Sequence, residues 1–197
     1  MVYRIYVEKK PGFDVEAEGL KKELVSLLGA TGLTGLRLLN RYDVEGIDEA
    51  LFEQCASTVF SEPPVDNTYA ELPQFEGVSF AVEYLPGQYD QRADSCAQCI
   101  QLQSGVDRPL IAAAKVYLLM GTLSEGDLDK IRRYLINPVE SREASMDKPA
   151  TLEQEHETPD SVPTVEGFTA LDEAGLKDLL DSLGLAMDLD DLKFLQA

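Results

Sequence analysis

Three cysteines, one histidine and several carboxylate clusters are the residues of this 197-residue chain whose types could do chemistry. Cys96 and Cys99 form a C-x-x-C pair, the spacing of a dithiol redox couple or of half a zinc site. A zinc site needs about four ligands, and the only histidine, His156, lies in a polar segment. On a helix the same spacing puts two small, partly buried side chains one turn apart, which is the expectation for this pair. Cys55 makes the cysteine count odd, and with no secretory signal a disulfide framework is not expected. No Ser/His/Asp or Cys/His arrangement can be assembled around His156. The clusters Glu153, Glu155, Glu157 and Asp188, Asp190, Asp191 lack the alternating spacing of a calcium loop and read as solvated faces. GATGLTG (29–35) is glycine-rich, but it precedes a strand pattern instead of opening a helix, so it offers no exposed helix N-terminus to a phosphate. A connecting turn is expected there. The chain is thus expected to carry no catalytic, metal-binding or cofactor-binding residue of its own.

The elements that would position any site follow from an internal repeat. VEKKPG (7–12) and VEYLPG (82–87) share Val, Glu, Pro and Gly, and the same offset of 75 carries Tyr42 onto Tyr117 and Gly46 onto Gly121. One residue is then lost, so that Pro64 meets Pro138. RIYVE and FAVEY are apolar and aromatic-rich runs that stop at Pro-Gly, and both predict strands. A helical stripe follows in the first copy at Ala17, Leu20, Leu24, Leu27 and Leu28, with a weaker counterpart at Cys96, Cys99, Ile100 and Gln103. Second strands run through LRLLNRYDVEG and IAAAKVYLLMG. Second helices carry Ile47, Leu51, Phe52, Cys55 and Val59 in one copy and Leu128, Ile131 and Leu135 in the other, with Ser124 and Asp127 as a capping box. Proline then stops each helix before a last short strand, in TVFSEPPVDN and YLINPVESRE.

The predicted fold is therefore α+β. Two copies of a strand–helix–strand–helix–strand unit, residues 1–74 and 75–146, form a pseudo-dimer, each copy with helices on one sheet face and the opposite faces free to bury each other. Residues 147–197 carry 13 acidic and 3 basic residues and hold about half of the net charge of −19, which sets a boundary near Met146. Pro149, Pro159 and Pro163 mark an acidic linker over 147–170. A helix capped by Thr169 and Asp172 follows, with Leu176, Leu179, Leu180 and Leu183 as its stripe and Gly184 as its stop, and Leu189, Leu192 and Leu195 begin another. The acidic balance excludes nucleic acid and anionic membrane surfaces as expected partners, because both demand clustered Lys and Arg. No apolar run approaches the ~20 residues that span a bilayer. An intracellular, cytoplasmic protein is the expectation.

The stretches IYVEKKPGFDVEAEGL, GLRLLNRYDVEGI, EYLPGQYDQRADSCAQCIQL, RYLINPVESREA and FTALDEAGLKDLLDSLGLAMDLDDLKFLQ, which run through nearly the whole chain, resemble the amino-terminal part of large-type phosphoribosylformylglycinamidine synthase. The pattern KPG…L…LG…Y…NPV also resembles the small separate subunit found in other forms of that enzyme. The resemblance implies a duplicated, fused form of that subunit followed by a linker. It implies an ATP-dependent, magnesium-requiring ligase of purine biosynthesis, whose synthetase and glutaminase domains lie beyond Ala197 and would be the partners of this part. No catalytic residue carries over, and Cys55, Cys96 and Cys99 stand in no glutaminase-like motif. The candidate interdomain positions are the two Pro-Gly turns, Pro11 with Gly12 and Pro86 with Gly87, and the adjoining Gln88, Tyr89 and Arg92. Self-association of this part stays open. A duplicated regulatory domain that binds a small molecule between its copies is the rival reading.

Overall fold

The two Pro-Gly-terminated runs form β1 (Tyr3–Lys9) and β4 (Val78–Tyr84). Each is followed by a 14-residue helix, α1 (Val15–Leu28) and α3 (Gln91–Ser104), that ends on a left-handed glycine, Gly29 or Gly105. Long strands β2 (Leu33–Glu45) and β5 (Leu110–Gly121) come next, so GATG of GATGLTG is the turn from α1 into β2 and LTG opens the strand. Then α2 (Glu49–Cys55), with Asp48 as its N-cap, runs into a π turn over Ala56–Phe60, and α4 (Glu125–Leu135) starts from the Ser124–Asp127 capping box. Short strands β3 (Asp66–Tyr69) and β6 (Ser141–Ala144) close the two copies. This computed structural model describes residues 1–105, 107–153 and 164–196, and it divides into two compact units, Met1–Gln154 and Glu155–Ala197.

The first unit is built on one antiparallel sheet in the order β3-β1-β2-β5-β4-β6, which reads the same from either end once the copies are exchanged. Register makes the relation quantitative. Tyr3 faces Val44 across β1 and β2, and Val78 faces Leu119 across β4 and β5, each partner 75 positions further on. Tyr6 faces Tyr69 and Ala81 faces Ala144 in the same relation. Asn40 faces Lys115, its own equivalent, so the two-fold axis of the repeat passes between these residues. The copies therefore join edge to edge through β2 and β5. That corrects the expectation of buried opposite faces: two such edges would each have left a row of unpaired backbone groups, and pairing them satisfies both.

The last turns correct the expected lost residue. Val65 and Asp66 donate their backbone N–H groups to the Glu62 carbonyl, and Glu140 and Ser141 donate theirs to that of Asn137. Pro63, not Pro64, thus stands where Pro138 does, in the position where proline pre-sets a turn. The sequence misleads because Pro64 precedes valine as Pro138 does. No residue is lost overall, because one fewer residue before the first copy's N-cap, Asp48 against Ser124, is balanced by one more in its helix: Cys55 and Phe60 both bury, five apart, where Ile131 and Leu135 face the core four apart. A π turn closes i→i+5 and absorbs the extra residue without moving either end.

The helices lie on one face and exchange partners between copies. α1 places Ala17 and Leu24 against Phe80, Tyr117, Leu128 and Ile131 of the second copy, together with Leu33 and Leu36 of β2. α3 places Cys96 and Ile100 against Ile5, Val7, Tyr42, Val44, Cys55 and Phe60 of the first. Leu27, expected in the α1 stripe, is 68% exposed, because a position one residue before Leu28 turns away from the sheet. Cys99 and Gln103 are likewise exposed on α3, whose buried side is Ala93, Cys96, Ala97 and Ile100.

The other sheet face buries Tyr6, Leu39, Ala81, Ala114, Val116, Leu118 and Ala144 under Leu72, Phe75 and Met146. In the first copy this face also holds ions. Arg4 donates from Nε and Nη2 to the two carboxylate oxygens of Asp43 at 2.5 and 2.8 Å, and Arg41 Nε lies 3.4 Å from the same carboxylate. Burial pulls the Arg41 guanidinium down from its usual range, and Asp43 offsets part of that. The arginines also donate to the carbonyls of Ser145, Met146 and Asp147, and Glu45 accepts from the Leu152 N–H at 2.6 Å and the Thr151 hydroxyl at 2.8 Å. These bonds tether residues 145–152 to the sheet, which is why the first unit runs eight residues past 146.

In the second unit, α5 (Glu173–Leu183) is capped by Asp172, whose carboxylate accepts from the Gly175 N–H at 2.9 Å. Thr169 lies instead in a 3-10 turn, Phe168–Ala170, and does not cap. α6 (Leu189–Gln196) follows, with Leu176 and Leu192 buried, Lys193 paired to Glu173 at 3.1 Å, and the Gln196 amide donating to the carbonyls of Phe168 and Leu171.

Candidate functional site

At the two-fold axis, on the helix face of the sheet, a cleft of about 900 Å³ opens between the first turn of α3 and the end of the π turn. Asn40 and Lys115 lie on its floor, side by side because they are the register partners at the axis. Asp90 caps α3 by accepting from the N–H groups of Arg92 and Ala93, both at 3.0 Å, and this fixes the turn that carries Arg92. Arg92 reaches down to the sheet and donates from Nη1 to the Tyr42 hydroxyl at 3.3 Å. The Tyr42 ring is buried, stacked at a tilt on Phe60 with centroids 5.0 Å apart, so the residue that ends the π turn also supports the tyrosine.

Burial pushes the Tyr42 phenol up, and the Arg92 charge opposes it. Burial also pushes the Cys96 thiol to about 11, which keeps it protonated and a poor nucleophile at neutral pH. On the floor Lys115 pairs with Glu16. At the rim Lys9 lies 2.9 Å from Asp66, whose other oxygen accepts from the Glu62 N–H at 2.8 Å. Six arginines, Arg4, Arg37, Arg41, Arg108, Arg132 and Arg142, meet a carboxylate. Arg92 meets only a neutral phenol among the described residues.

The candidate interdomain positions are not brought together. Pro11–Gly12 follows β1 and Pro86–Gly87 follows β4, and because those strands run in opposite directions the two turns lie at opposite ends of the sheet. Both turns are exposed, with Gly12 at φ 90° and Gly87 at φ 87°, a backbone angle that favours glycine. Gln88 is exposed beside Pro86 and Gly87, and Tyr89 is 68% exposed with its hydroxyl donating to Asp94 at 2.9 Å. Only Arg92 enters the cleft.

No family model matches the chain, and no curated protein is significantly similar to it.

The cysteines and acids play local roles. Cys55 and Cys96 are buried in one apolar cluster, Cys99 is exposed, and all three are free thiols. Asp188 and Asp191 cap α6 reciprocally, each accepting the other's backbone N–H, at 3.0 and 2.9 Å. His156, Glu155 and Glu157 lie outside the described residues. Among those described, no three His, Cys, Asp or Glu side chains converge where a metal ion could sit. No helix there is long and apolar enough to cross a membrane. Asn40, Tyr42 and Lys115 escaped sequence reasoning, although a signal existed. Alternate positions Leu36, Leu38, Tyr42 and Val44 are apolar or aromatic, and Asn40 breaks the run just where Lys115 breaks Ile111, Ala113, Tyr117 and Leu119.

Proposed function

We propose that this chain is the amino-terminal and linker part of a glutamine-dependent, ATP-consuming synthase that converts formylglycinamide ribonucleotide to formylglycinamidine ribonucleotide in the cytoplasm. In this reading the first unit organises the interface between synthetase and glutaminase domains of the same chain, and does no chemistry itself. ATP and magnesium belong to the synthetase. The observation that carries the reading is the repeat: one register relation of 75 through all six strands, with α1 and α3 exchanged between copies, is what a fused dimer of a small subunit should have. The motif likeness in RYLINPVESREA and EYLPGQYDQRADSCAQCIQL supplies the enzyme class.

An interface role is geometric, so its loss should uncouple steps rather than abolish them. Deleting residues 1–146 from the complete enzyme is expected to separate glutamine hydrolysis from amidine formation, leaving activity with free ammonium at a higher fraction of normal than activity with glutamine. Parallel assays with the two nitrogen donors check this. Equal loss with both donors in a folded deletion variant would defeat the reading.

A further inference from the structure

The cleft at the two-fold axis belongs to neither the tethers nor the turns, and its residues ask for a ligand. In a chain of net charge −19 an arginine facing a cavity without a carboxylate partner is an exception, and Arg92 is held there by the Tyr42 hydroxyl rather than neutralised. A guanidinium bonded through one nitrogen keeps the paired donors that match a carboxylate or phosphate in two parallel hydrogen bonds. On the floor Lys115 is already paired with Glu16, and Asn40 beside it can donate an amide. Phe60 and Val82 line the same space and give an apolar wall. The volume lies in the range of about 300–1,000 Å³ typical of small-molecule sites. The one extra residue in the first copy's second helix is absorbed in the π turn at this cleft, a feature that recurs at functional sites.

The geometry points to a binding site for a small organic anion, a carboxylate or a phosphate on an apolar body, with Arg92 gripping the anionic group, the Asn40 amide and the Glu16-paired Lys115 beneath it, and the body against Phe60. Glu62, Asp66, Glu83, Asp90 and Glu140 also line the cleft; Lys9 meets Asp66, Arg142 meets Glu83 and the first turn of α3 takes up Asp90, which leaves Arg92 as the cation that an anion would meet. The site stands apart from the scaffold reading, since a fused subunit pair can hold it or lack it.

The full 197-residue chain, isotope-labelled, is titrated with benzoate, phenyl phosphate and the neutral isostere benzamide while amide and arginine side-chain resonances are followed. Saturable shifts centred on Arg92, Tyr42 and Lys115 with at least one anion and none with benzamide are expected, and the anion that binds tells carboxylate from phosphate. Arg92→Gln, at an exposed position whose fold the same spectrum verifies, should weaken binding at least ten-fold, and Tyr42→Phe should weaken it less. Arg133→Gln, exposed on α4 outside the cleft, should leave it unchanged. No saturable shift with either anion, equal shifts with benzamide, or undiminished binding to the Arg92 variant would each overturn the proposal.

Discussion

The two copies in the first unit share every strand register yet differ at the positions where register places unlike residues. On the sheet face away from the helices, Arg4, Arg41 and Asp43 of the first copy stand where the second has Ser79, Val116 and Leu118. On the helix face, Arg92 of α3 stands where α1 has Glu16, since the capping residues are Asp90 and Asp14. The backbone relation is thus independent of the side chains that decorate it. A fold set by strand pairing and by apolar alternation tolerates such divergence, provided each buried charge finds a partner.

The largest expected effect comes from separating the copies. α1 finds most of its core in the second copy and α3 in the first, so residues 1–74 or 75–154 expressed alone leave Leu24 or Ile100 without their partners. Neither half is expected to unfold cooperatively as a monomer. Each should be unfolded or should pair with another copy of itself, with a melting temperature that rises with concentration, and mixing the two halves should restore the near-ultraviolet dichroism of the intact chain. A half that melts cooperatively and independently of concentration would break the comparison, because it would make the helix exchange incidental.

The second effect tests the unlike faces. Asp43→Ala removes the one carboxylate that Arg4 and Arg41 share, leaving two buried cations facing each other and the carbonyls of 145–147, at an expected loss of about 3–5 kcal/mol. Installing the second copy's residues at all three positions, Arg4→Ser with Arg41→Val and Asp43→Leu, should recover most of that loss, because an apolar replacement of a buried ionic group is often neutral or stabilising. Denaturant midpoints of the two variants give the answer. A triple variant no more stable than Asp43→Ala would mean that the arginines' bonds to the 145–147 carbonyls, rather than the buried charge, set the energetics.

What the sequence revealed and what it hid divide along physical lines. Strands β1 and β4, the helix stops at Gly29 and Gly184, and the Ser124–Asp127 box were legible because local chemistry decides them: Pro-Gly turns, left-handed caps and paired hydrogen bonds act within a few residues. The edge-to-edge joining and the exchange of α1 and α3 were not, because they depend on contacts between residues tens of positions apart that leave no local mark. Of the candidate site, the sequence places Arg92 beside the Pro86–Gly87 turn, and its approach to Tyr42, fifty positions earlier, comes only from the fold. The π turn was hidden behind a second proline.

The smallest expected effect removes the extra helical residue of the first copy. Ser57 is exposed in the π turn, and deleting it shortens the spacing between Cys55 and the buried phenylalanine from five residues to four, the spacing of Ile131 and Leu135 in the second copy. One α-helical turn then serves both positions, Asp48 still caps the helix, and the turn that begins at Glu62 keeps its place. The cost should therefore stay within about 1 kcal/mol, the scale of exposed changes that leave burial intact. The cleft should respond more than the stability does, because Thr58, Val59 and Phe60 line it from the widened turn and a regular helix would carry the first two elsewhere. Amide shifts on deletion should consequently reach Tyr42 and Arg92 while the denaturant midpoint hardly moves. A loss of several kcal/mol would show instead that the extra residue is needed to bury Phe60 against Tyr42, so that the copies could not have carried helices of equal length.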